Sequence, residues 1–81
     1  KNRGKLMNKI IDLNEPVYEI YMSYPEILDI LYQLGLHDIV KPGMINTVGK
    51  VMTLRKGATM KRIDFEVIEQ TLLDKGYLLH R

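Results

Sequence analysis

Ser23-Tyr-Pro-Glu-Ile-Leu-Asp-Ile-Leu-Tyr-Gln-Leu-Gly35 reads as a short helix that carries its own start, stripe and stop. Ser23 and Glu26 have the spacing of a capping box, in which each side chain satisfies the other's free backbone N–H. Pro25 falls in the first turn, where a missing N–H costs nothing. Ile27, Ile30, Leu31 and Leu34 follow the i, i+3, i+4, i+7 rule and define the face to be buried. Gly35 supplies the left-handed residue that ends the helix. A chain built on such a unit packs short helices around tight corners.

Upstream, Asn14 is placed to cap a helix over 15–22, with Glu15 and Pro16 in its first turn. Val17, Ile20, Tyr21 and Tyr24 form its apolar side, and Pro25 disfavours the α conformation at Tyr24, so a sharp corner joins the two helices. Residues 1–9 read as a flexible basic arm, followed by an apolar lead-in at Ile10, Ile11 and Leu13. Downstream, Leu36, Ile39 and Val40 are spaced to dip into the core as a single turn. Pro42-Gly43 then asks for a turn with glycine third. Asn46 or Thr47 would cap a helix through Val48, Val51 and Met52, although Val48–Leu54 also tolerates a strand. Gly49 inside it implies close approach of another backbone. Residues 55–62 read as a basic loop. Asp64 caps a last helix with Phe65, Ile68 and Leu72 inward, and Gly76 ends it. Tyr77, Leu78 and Leu79 are too apolar for a free tail and are expected to dock beside Ile10–Leu13.

The 81 residues include no cysteine, which removes disulfides and thiolate metal sites and fits a cytoplasmic setting. No apolar run is long enough to span a bilayer. Net charge is +2, but it is strongly segregated. Residues 10–40 contain six acids and no Lys or Arg, whereas residues 41–62 contain six Lys or Arg and no acid. The expected fold class is all-α: a compact array of four to five short helices with Pro/Gly corners in one domain over 10–81. The apolar ends leave room for a minor two-stranded pairing of the termini.

Several segments carry a resemblance. Pro16-Val17, Tyr24-Pro25-Glu26, Leu34-Gly35-Leu36, Lys41-Pro42-Gly43-Met44, Asn46-Thr47-Val48-Gly49, Met52-Thr53-Leu54, Lys56-Gly57-Ala58 and Lys75-Gly76 resemble, in that order, a bacterial domain-of-unknown-function family. Its members are small helical modules found alone or ahead of hemerythrin-like and PAS domains, similar to the N-terminal domain of iron–sulfur-centre repair proteins. The resemblance implies a redox or iron context and no transferable activity. Relatives on the repair side carry cysteines just after the Leu-Gly corner. This chain has Leu36-His37-Asp38-Ile39-Val40 there, so no thiol role carries over.

Metal chemistry has thin support, since His37 and Asp38 are adjacent and His80 is remote, short of any zinc or iron spacing. Ser23 has no His or acid placed to activate it, and Glu15/Glu19 and Glu26/Asp29 lie on solvated faces, so no enzyme is expected. Lys50, Arg55, Lys56, Lys61 and Arg62 could contact an anion, and a weak nucleic-acid binder through 41–62 is one alternative. Glu66, Glu69 and Asp74 on the last helix would repel DNA, and Lys56-Gly57-Ala58 lacks a phosphate-loop pattern. The favoured reading is a non-catalytic interaction or sensory-accessory domain without cofactor or membrane contact. Its partner is another protein, a fused or neighbouring sensor domain, or a second copy of the chain. Tyr18 and Tyr32 are the exposed aromatic candidates, because Tyr and Met are enriched at interfaces. A small-ligand or metal-sensing site formed by His37, Asp38, Lys41 and Met44 after Gly35 is the other alternative.

Overall fold

The computed structural model describes residues 9–80. Four α-helices and two short 3-10 turns lie between two terminal strands: β1 (Lys9–Asp12), α1 (Val17–Ser23), α2 (Ile27–Gln33), α3 (Leu54–Lys61), α4 (Phe65–Asp74) and β2 (Tyr77–His80). The 3-10 turns, Asp38–Val40 and Val48–Lys50, interrupt the long connection from α2 to α3. β1 and β2 pair in parallel, with Ile11 opposite Leu79 and Asp12 opposite His80. Parallel pairing requires a crossover between the strands, and here every helix lies within it. The expected all-α array with a terminal two-stranded pairing is the fold observed, and the apolar tail docks beside Ile10–Leu13. The arm read over 1–9 falls, up to residue 8, outside the described residues; Lys9 itself belongs to β1.

The α2 stripe is buried as its spacing requires. Ile27 and Leu31 are fully enclosed, Ile30 is nearly so, and Leu34 packs at the edge. Gly35 ends the helix at φ +100°, with Leu36 N–H donating to the Leu31 carbonyl at 2.9 Å, a Schellman closure. Around α2 gather Ile11, Leu13, Val17, Ile20, Leu54, Ile68, Leu72 and Tyr77, one core drawn from every helix and both strands. Leu36 and Ile39 enter it from the turn after Gly35. Lys41 to Met44 closes the turn that Pro42-Gly43 dictates: Gly43 has φ +82°, and Met44 N–H donates to the Lys41 carbonyl at 3.0 Å.

Several local expectations are corrected. The capping box at Ser23 and Glu26 does not form, because Ser23 is the last residue of α1 and Glu26 precedes α2 with no side-chain cap. Asn14 does not cap α1, which begins two residues later than expected, behind Pro16; its N–H instead donates to Asp12 Oδ1 at 2.9 Å. Thr47 caps nothing either, since its hydroxyl donates backward to the Gly43 carbonyl at 2.9 Å. Val48–Leu54 is neither a regular helix nor a strand. One 3-10 turn gives way to an extended Thr53, which bridges Pro16, while Val17 N–H donates to the Met52 carbonyl at 2.7 Å. Gly49 does mark a close approach: a Cβ there would lie 3.3 Å from Ile45 Cδ1 and 3.6 Å from the Tyr18 backbone nitrogen.

The largest correction is α3, since residues 55–62 are helical through Lys61 rather than a loop. Thr53 caps this helix by accepting from Lys56 N–H at 3.2 Å, and Leu54 and Ala58, one turn apart, bury its inner edge. Arg62 ends it in the left-handed conformation at φ 57°, where glycine is usual. Asp64 then caps α4 as expected, accepting from Glu66 N–H at 3.0 Å.

Candidate functional site

An open groove of about 300 Å³ lies where α3 faces the turn after Gly35 and the 3-10 turn at Val48. Its floor is Leu31, Leu36 and Leu54, and its walls include Met44, Met52 and Met60. Each position has a local cause. Met44 follows the Pro42-Gly43 turn, Met52 sits where the chain straightens toward Thr53, and Met60 is on the outer side of α3, 67% exposed. Gly57, in mid-helix, lets the Leu36 side chain lie against α3: a Cβ would stand 3.4 Å from Leu36 Cδ2 and 3.9 Å from Met52 Sδ. Unbranched thioethers adapt to irregular space, which makes Met common where a binding surface must mould to its ligand.

The charged groups that line the groove stand together at one side. Asp38 and Lys61 line it and pair at 2.6 Å, and Lys41 reaches the other Asp38 oxygen at 3.3 Å. Lys61 first, then Lys41, holds the Asp38 carboxyl below its ordinary pKa by hydrogen bonding to the charged form. Here the acidic first half of the chain meets the basic middle.

The residues singled out from the sequence divide among three places. Asp38 and Met44 line the groove and Lys41 is tied to it through Asp38, whereas His37 turns away to stack on Tyr32, ring centroids 4.3 Å apart. Tyr32 is exposed; Tyr18 is half-buried beneath Lys50, whose Nζ lies 5.0 Å from the ring centroid. Arg55 lies over Phe65 at 4.5 Å, Lys56 reaches the Val51 carbonyl at 3.5 Å, and Arg62 caps α3. The basic residues are therefore spread along α3 and its flanks, not gathered on a single point. Among the described residues no three His, Asp or Glu side chains converge as a metal would require. Also among them, no helix is long and apolar enough to cross a membrane.

Sequence reading misses Met60, Gly57 and the groove itself, since a run of Lys and Arg around a glycine over 55–62 reads as loop. The Thr53–Lys56 cap spacing with Leu54 and Ala58 at i, i+4 was the signal available. It also missed a second polar cluster. The Glu26 carboxylate, released from the capping box, accepts from Tyr77 OH at 2.8 Å and Lys9 Nζ at 3.0 Å. Tyr24 OH accepts from Ile10 N–H at 2.9 Å, and its ring meets Tyr77 edge-on at 5.6 Å. Tyr77 first, then the backbone N–H of Glu26 and then Lys9, lowers the Glu26 pKa; burial, and then Glu26 itself, raises that of Tyr77.

A search of curated proteins finds no match. Among solved structures, the chain is similar to the conserved domain protein from Streptococcus pneumoniae TIGR4, known from its crystal structure. The two are 36% identical, with a TM-score of 0.84, over 93% of this chain and 95% of that one. Residues 11–68, from β1 to the middle of α4, match the family described as Domain of unknown function (DUF1858), and the chain belongs to that family.

Proposed function

We propose that this domain is a non-catalytic docking module that receives an apolar side chain of a partner protein in the methionine-walled groove. The observation that carries the reading is the groove's division: an apolar floor and wall, with charge only at one side. A small metabolite would be oriented by polar groups converging inside such a pocket. Here Asp38 and Lys61 already engage each other, and about 300 Å³ is at the small end for a drug-sized ligand. A single anchoring side chain on a protein surface suits it better. The altered carboxyls, Glu26 and Asp38, are both held ionised by donors, the reverse of what a general acid at neutral pH needs. The cytoplasmic setting we attach to the module rests on its lack of cysteine, and the redox or metal-homeostasis context on the resemblance described above.

A photo-crosslinker at exposed Met60 would identify the partner, which is then purified and titrated into the chain labelled at its methionine methyl groups. Saturable shifts at Met44 and Met52, with Met22 on α1 unmoved, are expected. A partner that saturates while leaving Met44 and Met52 unmoved sinks the reading.

A further inference from the structure

The groove wall from Met44 to Lys61 is drawn from the stretch 41–62, in which six residues are Lys or Arg and none is acidic. The one carboxylate that lines the groove is Asp38, and two ammonium groups contact it, Lys61 at 2.6 Å and Lys41 at 3.3 Å. The mouth is therefore left with more positive than negative charge. Lys61 is 40% exposed and Lys41 66% exposed at their side chains, so both keep donors free for a second acceptor. The apolar volume and the charge excess adjoin, because Met60 and Lys61 are consecutive at the end of α3.

Resting on the docking reading above, we infer that the partner segment carries an apolar anchor with an acidic residue beside it. The anchor enters among Met44, Met52 and Met60, and the carboxylate meets Lys61 and Lys41 at the mouth. Burial of the anchor supplies most of the affinity. The carboxylate supplies selection and encounter rate, since charges at an interface rim act mainly on partner choice and association.

Random peptides displayed on phage and selected against the full chain provide the test, with enriched peptides titrated into methionine-methyl-labelled protein. Enrichment of Leu, Ile, Phe or Met anchors flanked by Asp or Glu, with shifts at Met44 and Met52, supports the inference. Met60→Glu places a carboxylate at an exposed position of the mouth, and should weaken such a peptide about fivefold or more while the folded spectrum is kept. Lys61→Gln should weaken it less, because Lys41 remains, and added salt should weaken it further. Apolar peptides that shift Met44 and Met52 without any preference for acids overturn the inference and leave the docking reading standing. If no enriched peptide moves those methyls, both fall. Decanoate that saturates the groove and displaces the peptides assigns the site to small carboxylates instead, and dimerisation that blocks peptide binding assigns it to a second copy.

Discussion

The two sides of this domain solve the problem of a small core differently. On the strand side, contacts between residues far apart in sequence tie the elements together. Glu26 accepts from Tyr77, 51 residues away, Tyr24 accepts from Ile10, and the Leu13 N–H reaches the His80 carbonyl at 2.8 Å. On the groove side, Met44, Met52 and Met60 surround space that no described residue fills. A domain of this size has a thin margin of stability, so a face left unfilled must be offset by tight packing elsewhere. The closed side supplies stability, and the open side is where the proposed docking would take place.

Truncating each wall should expose this asymmetry most clearly. Ile11→Ala on the strand side opens a cavity in a fully packed site, for a loss of about 2–5 kcal/mol in chemical denaturation. Met52→Ala removes a similar volume beside existing space and should cost only about 1 kcal/mol. Equal losses would mean that the groove wall is as tightly packed as the core.

A smaller effect isolates the polar lock. Tyr77→Phe deletes one donor to Glu26 and should cost about 1 kcal/mol. The lock also has a pH signature. Because Tyr77 and Lys9 hold the folded-state pKa of Glu26 below its unfolded value, this stabilisation is complete above the unfolded carboxylate pKa. It is lost as pH falls through the lower, folded value. Thermal unfolding followed from neutral to acid pH should thus fall more steeply in the native chain than in Glu26→Gln. Asp38 shifts in the same direction and is common to both proteins, so it cancels in the comparison. Parallel curves would remove the lock from the account.

The smallest effect has the opposite sign. Gly57→Ala adds a Cβ at ordinary contact distance and removes a helix-weakening residue, so it should stabilise α3 by about 0.5–1 kcal/mol. The same methyl narrows the groove between Leu36 and Met52, so bound peptides should lose affinity as stability rises. A gain in both would separate Gly57 from the groove's function.

The difference between what could and could not be read is visible in individual residues. Ile27, Ile30 and Leu31 were legible because a helical stripe depends only on spacing along one chain. Gly35, Asp64 and Gly76 were legible for the same reason, as caps act on backbone groups within a turn. α3 was not, since Arg55, Lys56 and Lys61 obscure a buried edge made of Leu54, Gly57 and Ala58, of which only Leu54 is large. Ser23, Asn14 and Thr47 misled because a side chain able to cap also has other acceptors and donors within reach. Of the candidate site, Asp38, Lys41 and Met44 were legible as polar and soft residues after a sharp corner. That Asp38 turns to α3 while its neighbour His37 turns to Tyr32 was not.

By itself the sequence determined α2 and α4 with their stops, the charge-segregated stretches and the absence of cysteine chemistry, all properties of residue identity and local spacing. Only the tertiary structure decided that the Glu26 carboxylate would go to Tyr77 and Lys9, and that three methionines from separate stretches would surround one groove. Such placements depend on which distant segments meet. That is fixed by how the whole core closes, not by the preference of any one stretch.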